Sequence, residues 1–184
     1  VYGDLVTSGD EAATEENYPA AMVAYRQALA INPNDGAVWQ ALAEAALRRA
    51  DAVAGQSEGD NSYDLSYVGS NAAMNAFLRA TEVETRASTL RALANSLEYR
   101  EMWREAIATY RLAVKLVPDA DIEAHLDDVV AQHGFRITDH VVDAEAASPR
   151  ICMVFSDPLG STDLSAFVSV ANAPQVSVET ETRQ

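Results

Sequence analysis

The sequence predicts a mainly α protein built from repeated helical hairpins, followed by an incomplete β-sandwich segment. Three observations carry this. An aromatic residue followed by Ala, Tyr, Ala and Pro recurs at identical spacings in residues 18–33 and 103–118. Apolar stripes at i, i+3, i+4 and i+7 occur at Trp39, Leu42, Ala43 and Ala46, and again at Leu90, Leu93, Ala94 and Leu97. From Phe135 onward the pattern changes to short apolar runs of strand length.

The matching positions are Tyr18 and Trp103, Ala21 and Ala106, Tyr25 and Tyr110, Ala28 and Ala113, and Pro33 and Pro118. Ala, Tyr and Ala at i, i+4 and i+7 share one helical stripe. The alanines let a neighbouring helix come close, and the tyrosine fills the space between helices. The proline cannot continue the helix, so the chain turns. Asn32-Pro33-Asn34-Asp35-Gly36 is a turn by composition. A third copy of the stripe lies at Ala73, Phe77 and Ala80, inside the amphipathic stretch 70–84.

These residues resemble the tetratricopeptide repeat, a helix–turn–helix unit of about 34 residues. Residues 87–120 match it best. Residues 36–85 resemble a second unit carrying an insertion, because Ala46 and Ala73 are 27 positions apart where the family's step is about nine. The first unit has a good second helix over 18–31 and a weak first one. Leu5 and Gly9 fall at suitable offsets, but Ser8 and Ala12 are poor core residues. The first dozen residues are therefore expected to be frayed, or to depend on sequence upstream. The insertion, 51–68, is polar and contains glycine; it reads as a surface loop. Its Tyr63, Leu65 and Tyr67 either meet a partner or pack back onto the helices. After Pro118, the stripe Ile122, His125, Leu126, Val129 and Val130 predicts a capping helix over 121–133, with Gly134 as its stop.

A domain boundary is expected near Gly134, giving helical repeats over 1–134 and a β-segment over 135–184. Strands are expected at 135–142, 151–155, 167–170 and 176–180. An immunoglobulin-like sandwich takes about 100 residues and seven strands. The tail supplies about half of that, so the sandwich is expected to be truncated and the chain to be a piece of a longer protein. The element Phe155-Ser156-Asp157-Pro158-Leu159 after a helical array is similar to the first macroglobulin-type sandwich of bacterial alpha-2-macroglobulin-like proteins. That resemblance implies a docking module at the N-terminal end of an endopeptidase inhibitor. It also implies proteases as partners of the full-length parent, and a cell-envelope, periplasmic or secreted location. The alternative is a cytoplasmic adaptor. The family's thioester motif, Cys-x-Glu-Gln, does not occur here: Met153, Val154 and Phe155 follow Cys152. Cys152 reads as a buried small hydrophobe.

The net charge of −15 argues against nucleic acid and against anionic membrane surfaces. No apolar run has the length of a membrane helix. His125, His133 and His140 have no carboxylate or cysteine at ligand spacing. Asp119, Asp121 and Glu123 start like a calcium loop, but Ala124 and Val130 stand where that loop needs Gly and Glu. No phosphate loop or nucleophile elbow is present, so no catalytic residue, metal or cofactor is assigned and the chain reads as a non-enzyme. Proteins resembling this family bind a protein or peptide along the first helix of each unit. By family position that surface carries Gln40, Glu44 and Arg48, then Arg91, Asn95 and Tyr99. An arginine can grip a carboxylate in a bidentate way, and an asparagine one turn away can hold a peptide backbone.

Overall fold

The computed structural model of the chain describes residues 1–55, 61–145, 147–159, 168 and 177–179. Seven helices precede two strands among these residues. They are α1 (Tyr2–Thr14), α2 (Tyr18–Ile31), α3 (Gly36–Val53), α4 (Ser62–Arg79), α5 (Val83–Glu98), α6 (Trp103–Leu116), α7 (Ala120–His133), β1 (Ile137–Asp143) and β2 (Arg150–Phe155). The chain divides into two units, Val1–His133 and Gly134–Gln184.

Helices α2, α3 and α4 start on side-chain caps. The Asn17 carboxamide accepts from Ala20 N–H at 3.3 Å before α2. Asp35 accepts from Ala37 and Val38 N–H at 3.0 and 3.1 Å before α3. Asn61 accepts from Asp64 N–H at 2.7 Å before α4. Each satisfies donors that a helix start leaves orphaned. The α1–α2 and α5–α6 turns have the same construction. In each, a glutamate sits at positive φ, Glu16 at 59° and Glu101 at 55°. Asn17 N–H donates to Ala12 C=O at 2.8 Å, and Met102 N–H to Leu97 C=O at 3.0 Å. This is the closure that a left-handed residue after a helix permits.

The core is built from close approach. Ala21, Ala28, Ala43, Ala46, Ala73, Ala94, Ala106 and Ala113 are all fully buried. Between them sit Tyr25 and Tyr110, the largest groups at their hairpin seams, at 2% and 1% exposure. Each ring reaches across its own hairpin. Tyr25 Oη donates to Asp10 Oδ1 at 2.9 Å, and Tyr110 Oη donates to Asn95 and Glu98. Phe77 stands at the same repeat position in the second unit but is only half-buried, and Ala80 caps α4 rather than packing inside it.

Three expectations need correcting. The first dozen residues are not frayed: α1 is a full helix packed on α2. Gly9 is its buried contact, and a Cβ there would stand 2.4 Å from Tyr25 Cε1. Tyr2 Oη also donates to Asp35, the cap of α3. The stretch 51–68 is helical at both of its ends, and its residues 56–60 lie outside the described residues. Asp51–Val53 end α3 and residues 62–68 open α4, so the insertion lengthens both helices. Gly69 explains how: a Cβ there would meet Ser96 Oγ at 2.8 Å and Leu47 Cγ at 3.4 Å. Among the described residues the tail holds a two-stranded antiparallel ribbon, two of the strands expected of the incomplete sandwich. Its register runs from Ile137 opposite Phe155 to Asp143 opposite Arg150. Val141, Val142, Ile151 and Val154 are all exposed among the described residues. Lastly, Cys152, expected to be a buried small hydrophobe, is exposed. The strands expected at 167–170 and 176–180 lie outside the described residues, except Val168 and residues 177–179, which are in no strand.

The last helix starts at Asp119, whose side chain accepts from Asp121 and Ile122 N–H at 3.0 and 3.1 Å. It attaches through its buried Val129 and through two histidines, one in mid-helix and one at its end. His133 stacks on Trp103 with ring centroids 3.5 Å apart. His125 meets the Tyr110 ring edge-on at 5.3 Å, and its Nε2 lies 2.8 Å from Glu98 Oε1.

Two stability outcomes follow from this packing. Gly9→Ala should lower the unfolding midpoint, because overpacking costs about 1–3 kcal/mol. Helix propensity alone would favour the alanine by about 0.5–1 kcal/mol. A raised midpoint in chemical denaturation would therefore mean α1 does not dock on Tyr25. Tyr110→Ala should cost about 3–5 kcal/mol, as large-to-small core changes do, and the same denaturation series measures it.

Candidate functional site

The first helices of the three hairpins, α1, α3 and α5, lie side by side: α3 packs on both α1 and α5. The second helices α2, α4 and α6 each pack on their own partner and on the first helix that follows. The result is two layers, with the six sequence-predicted residues on the layer of first helices.

Two hydrogen bonds cross from α3 to α5. Gln40 Nε2 donates to Ser88 Oγ at 3.3 Å, and Tyr99 Oη donates to Asp51. Both link residues 48 positions apart. A constant offset at both ends means that α3 and α5 run parallel, in fixed register. Gln40, Glu44, Arg48 and Asp51 form an i, i+4, i+8, i+11 stripe. Ser88, Arg91, Asn95 and Tyr99 form an i, i+3, i+7, i+11 stripe. The structure therefore brings Glu44, Arg48, Arg91 and Asn95 together between two rungs, with Gln40 and Tyr99 as parts of the rungs themselves.

Their availability differs. Gln40 is committed twice, since its Nε2 also donates to Glu44 at 3.0 Å. Tyr99 is held by Asp51. Burial and that carboxylate push its hydroxyl pKa well above the ordinary tyrosine value. Asn95 uses its carbonyl oxygen to accept from Tyr110, which leaves its Nδ2 donors for a ligand. Arg48 and Arg91 are exposed. Neither makes an ion pair with a described carboxylate. Among the described residues, the site is thus two guanidinium groups without an ion-pair partner, flanking an amide donor.

Sequence reasoning missed Asp51, Ser88, Glu98 and His125. Glu98 accepts from Tyr110 and touches His125, which joins α5, α6 and α7. One signal was available: Asp10 precedes Tyr25 by 15 positions, and Asn95 precedes Tyr110 by the same 15. A separate groove of about 380 Å³ opens beside α2, α3 and α4, lined in part by Leu29, Trp39, Leu42 and Val68. None of the six residues lines it. Among the described residues, no group of three or more His, Cys, Asp or Glu could hold a metal ion. No helix among them is long and apolar enough to cross a membrane.

No protein-family model matches the sequence, and no curated protein matches it by sequence. The fold does have solved neighbours. One is the tetratricopeptide repeat domain of Arabidopsis OM64, with TM-score 0.57 and 15% identity, covering 72% of this chain and 95% of that one. Another is the N-terminal domain of stress-induced protein-1 (STI-1) from C. elegans, with TM-score 0.51 and 11% identity, covering 70% of this chain and 93% of that one. The helical unit is a tetratricopeptide-type array in fold.

The seam and rung tyrosines make stability depend on alkaline pH. Burial first, and then a carboxylate partner, raise the pKa of Tyr25, Tyr99 and Tyr110. Unfolded tyrosines ionise near pH 10. A group raised in the folded state contributes fully below the unfolded pKa, and that contribution is lost as pH climbs beyond it. The unfolding midpoint should therefore fall steadily above about pH 10. Tyr110→Phe should make that fall shallower, because one raised group is removed. Thermal melts from pH 8 to 11 test this, and an equal slope in the variant would refute it.

Proposed function

We propose that the helical unit is a non-catalytic adaptor that binds a peptide or protein segment across α3 and α5. The observation that carries this reading is the pair Arg48 and Arg91, which make no ion pair with a described carboxylate in a chain of net charge −15. Acidic side chains are abundant, yet among the described residues none is attached to these two cations between the Gln40–Ser88 and Asp51–Tyr99 rungs. A carboxylate on the ligand, from a side chain or a chain terminus, would supply the missing acceptor for a bidentate contact. Asn95 Nδ2 would donate to a peptide carbonyl. Glu44, exposed at the centre of the same face, would discriminate against ligands carrying acid at that point. The likeness in fold to tetratricopeptide repeat domains supports a partner-binding role over a catalytic one.

A wider setting is proposed from the tail. The change from helix to ribbon at Gly134, with the Phe155-Ser156-Asp157-Pro158-Leu159 element, supports a docking module at the N-terminal end of an alpha-2-macroglobulin-like endopeptidase inhibitor. Its parent would meet proteases in the periplasm or outside the cell. Cell fractionation decides this, and full-length protein in the cytosol would exclude it.

The adaptor reading is tested with a peptide array in which every sequence is printed with a free and an amidated C-terminus. Bound peptides should carry an acidic side chain or a free terminus. Arg91→Ala should weaken them about tenfold, equivalent to roughly 1.4 kcal/mol. Arg48→Ala should do the same, while Arg111→Ala on α6 should not. Binding that ignores both arginine variants would remove this face as the site.

A further inference from the structure

The opposite layer carries a second surface that the adaptor reading does not use. On α4, Tyr63, Tyr67, Met74 and Leu78 are exposed, at 51, 44, 42 and 71%. They recur at i, i+4, i+11 and i+15, so they line one side of the helix over roughly 22 Å. Leu65, Ala72, Ala73 and Ala76 fill the opposite side and are buried. An ordinary surface helix would place polar residues on its outer stripe. Tyr63 and Tyr67 hold each other in place, edge-on with ring centroids 5.3 Å apart and hydroxyls 3.2 Å apart.

Two arginines from α5 and the turn after it border this stripe. The Arg86 guanidinium lies 4.5 Å from the Phe77 ring centroid, and the Arg100 guanidinium 4.5 Å from that of Tyr67. Neither pairs with a described carboxylate. A guanidinium laid on an aromatic ring still presents its edge N–H groups to an acceptor. Phe77 and Tyr67 are ten positions apart, so the two cations stand roughly 15 Å apart along α4.

We propose that this face of α4 docks an acidic amphipathic helix of another protein. About four turns of such a helix would cover the apolar stripe, with its own apolar residues against Tyr63, Tyr67, Met74 and Leu78. Two carboxylates ten or eleven positions apart on one flank would meet Arg86 and Arg100. The surface combines Tyr, Met and Arg, which are enriched in protein interfaces, and charge complementarity selects an acidic partner even though the chain as a whole repels acid.

The probe is a fluorescein-labelled 18-residue helical peptide. It has leucines on one stripe and two glutamates eleven positions apart on the flank; its twin has lysines in place of the glutamates. Fluorescence anisotropy with the full chain should show the glutamate peptide binding at least tenfold tighter. Arg86→Glu/Arg100→Glu should reverse that preference. Met74→Ser/Leu78→Ser should weaken both peptides, and Arg91→Ala should change neither. All substituted residues but Arg100 are exposed, and circular dichroism melts confirm that each variant folds. Four results would overturn the proposal. They are equal binding of the two peptides, no binding of either at millimolar concentration, no reversal in the charge-swapped variant, and loss of binding in Arg91→Ala. Self-association in sedimentation that Met74→Ser/Leu78→Ser abolishes would also overturn it, because a second copy would then cover the face.

Discussion

A tyrosine hydroxyl buried at a helix seam has to find an acceptor, and the arrangement of the inner layer follows from that demand. Tyr25 and Tyr110 occupy equivalent repeat positions and reach back to the residue 15 positions earlier, Asp10 in one case and Asn95 in the other. Each bond ties the second helix of a hairpin to the exposed side of its first helix. It consumes a polar group that would otherwise face outward. Tyr110 recruits Glu98 as well, and Glu98 in turn meets His125, so the last helix is attached through the same hydroxyl.

The middle hairpin breaks this rule, and the break shapes the site. Phe77 stands where the other units have tyrosine, and it has no hydroxyl to donate. Glu44, the counterpart of Asp10 and Asn95 once the insertion is allowed for, is consequently not spent on the seam. It stays exposed and accepts from Gln40 instead. With Glu44 turned to its own helix, the cations beside it keep their donors open. The first and third units use this position for packing; the second leaves it exposed on the face proposed for binding.

Much of this was legible in the sequence because close packing leaves a periodic trace. Alanines at i and i+7 around a tyrosine cannot be mistaken for a surface pattern. The six inner-face residues could be named from the same period. What escaped was set by contacts between distant segments. α1 docks through Gly9, where the informative feature is a missing side chain filled by a ring from α2. The lengthened α4 contains Ser66, Gly69 and Ser70, all buried, which local propensity reads as loop; proximity to α3 and α5 overrides it. The rungs were hidden because an offset of 48 includes the insertion, and no repeat length predicts it. In the tail, two of the four apolar runs of strand length, 135–142 and 151–155, correspond to strands, and the other two lie largely outside the described residues.

The insertion is therefore more than tolerated length. Its first residue, Asp51, extends α3 far enough to receive the Tyr99 hydroxyl, which closes the inner face at one end. Its later residues, Tyr63 and Tyr67, extend α4 in the opposite layer and bring an aromatic ring under Arg100. Without those turns α3 would stop before the second rung, and of the two described hydrogen bonds between α3 and α5 only Gln40–Ser88 would remain. Two parallel helices linked at one end can splay; linked at both, they hold Arg48, Arg91 and Asn95 at fixed spacing. A segment that reads as a surface loop thus pre-organises one face and builds the other. That coupling makes the long middle hairpin, rather than the better-matching third unit, the element on which both proposed surfaces depend.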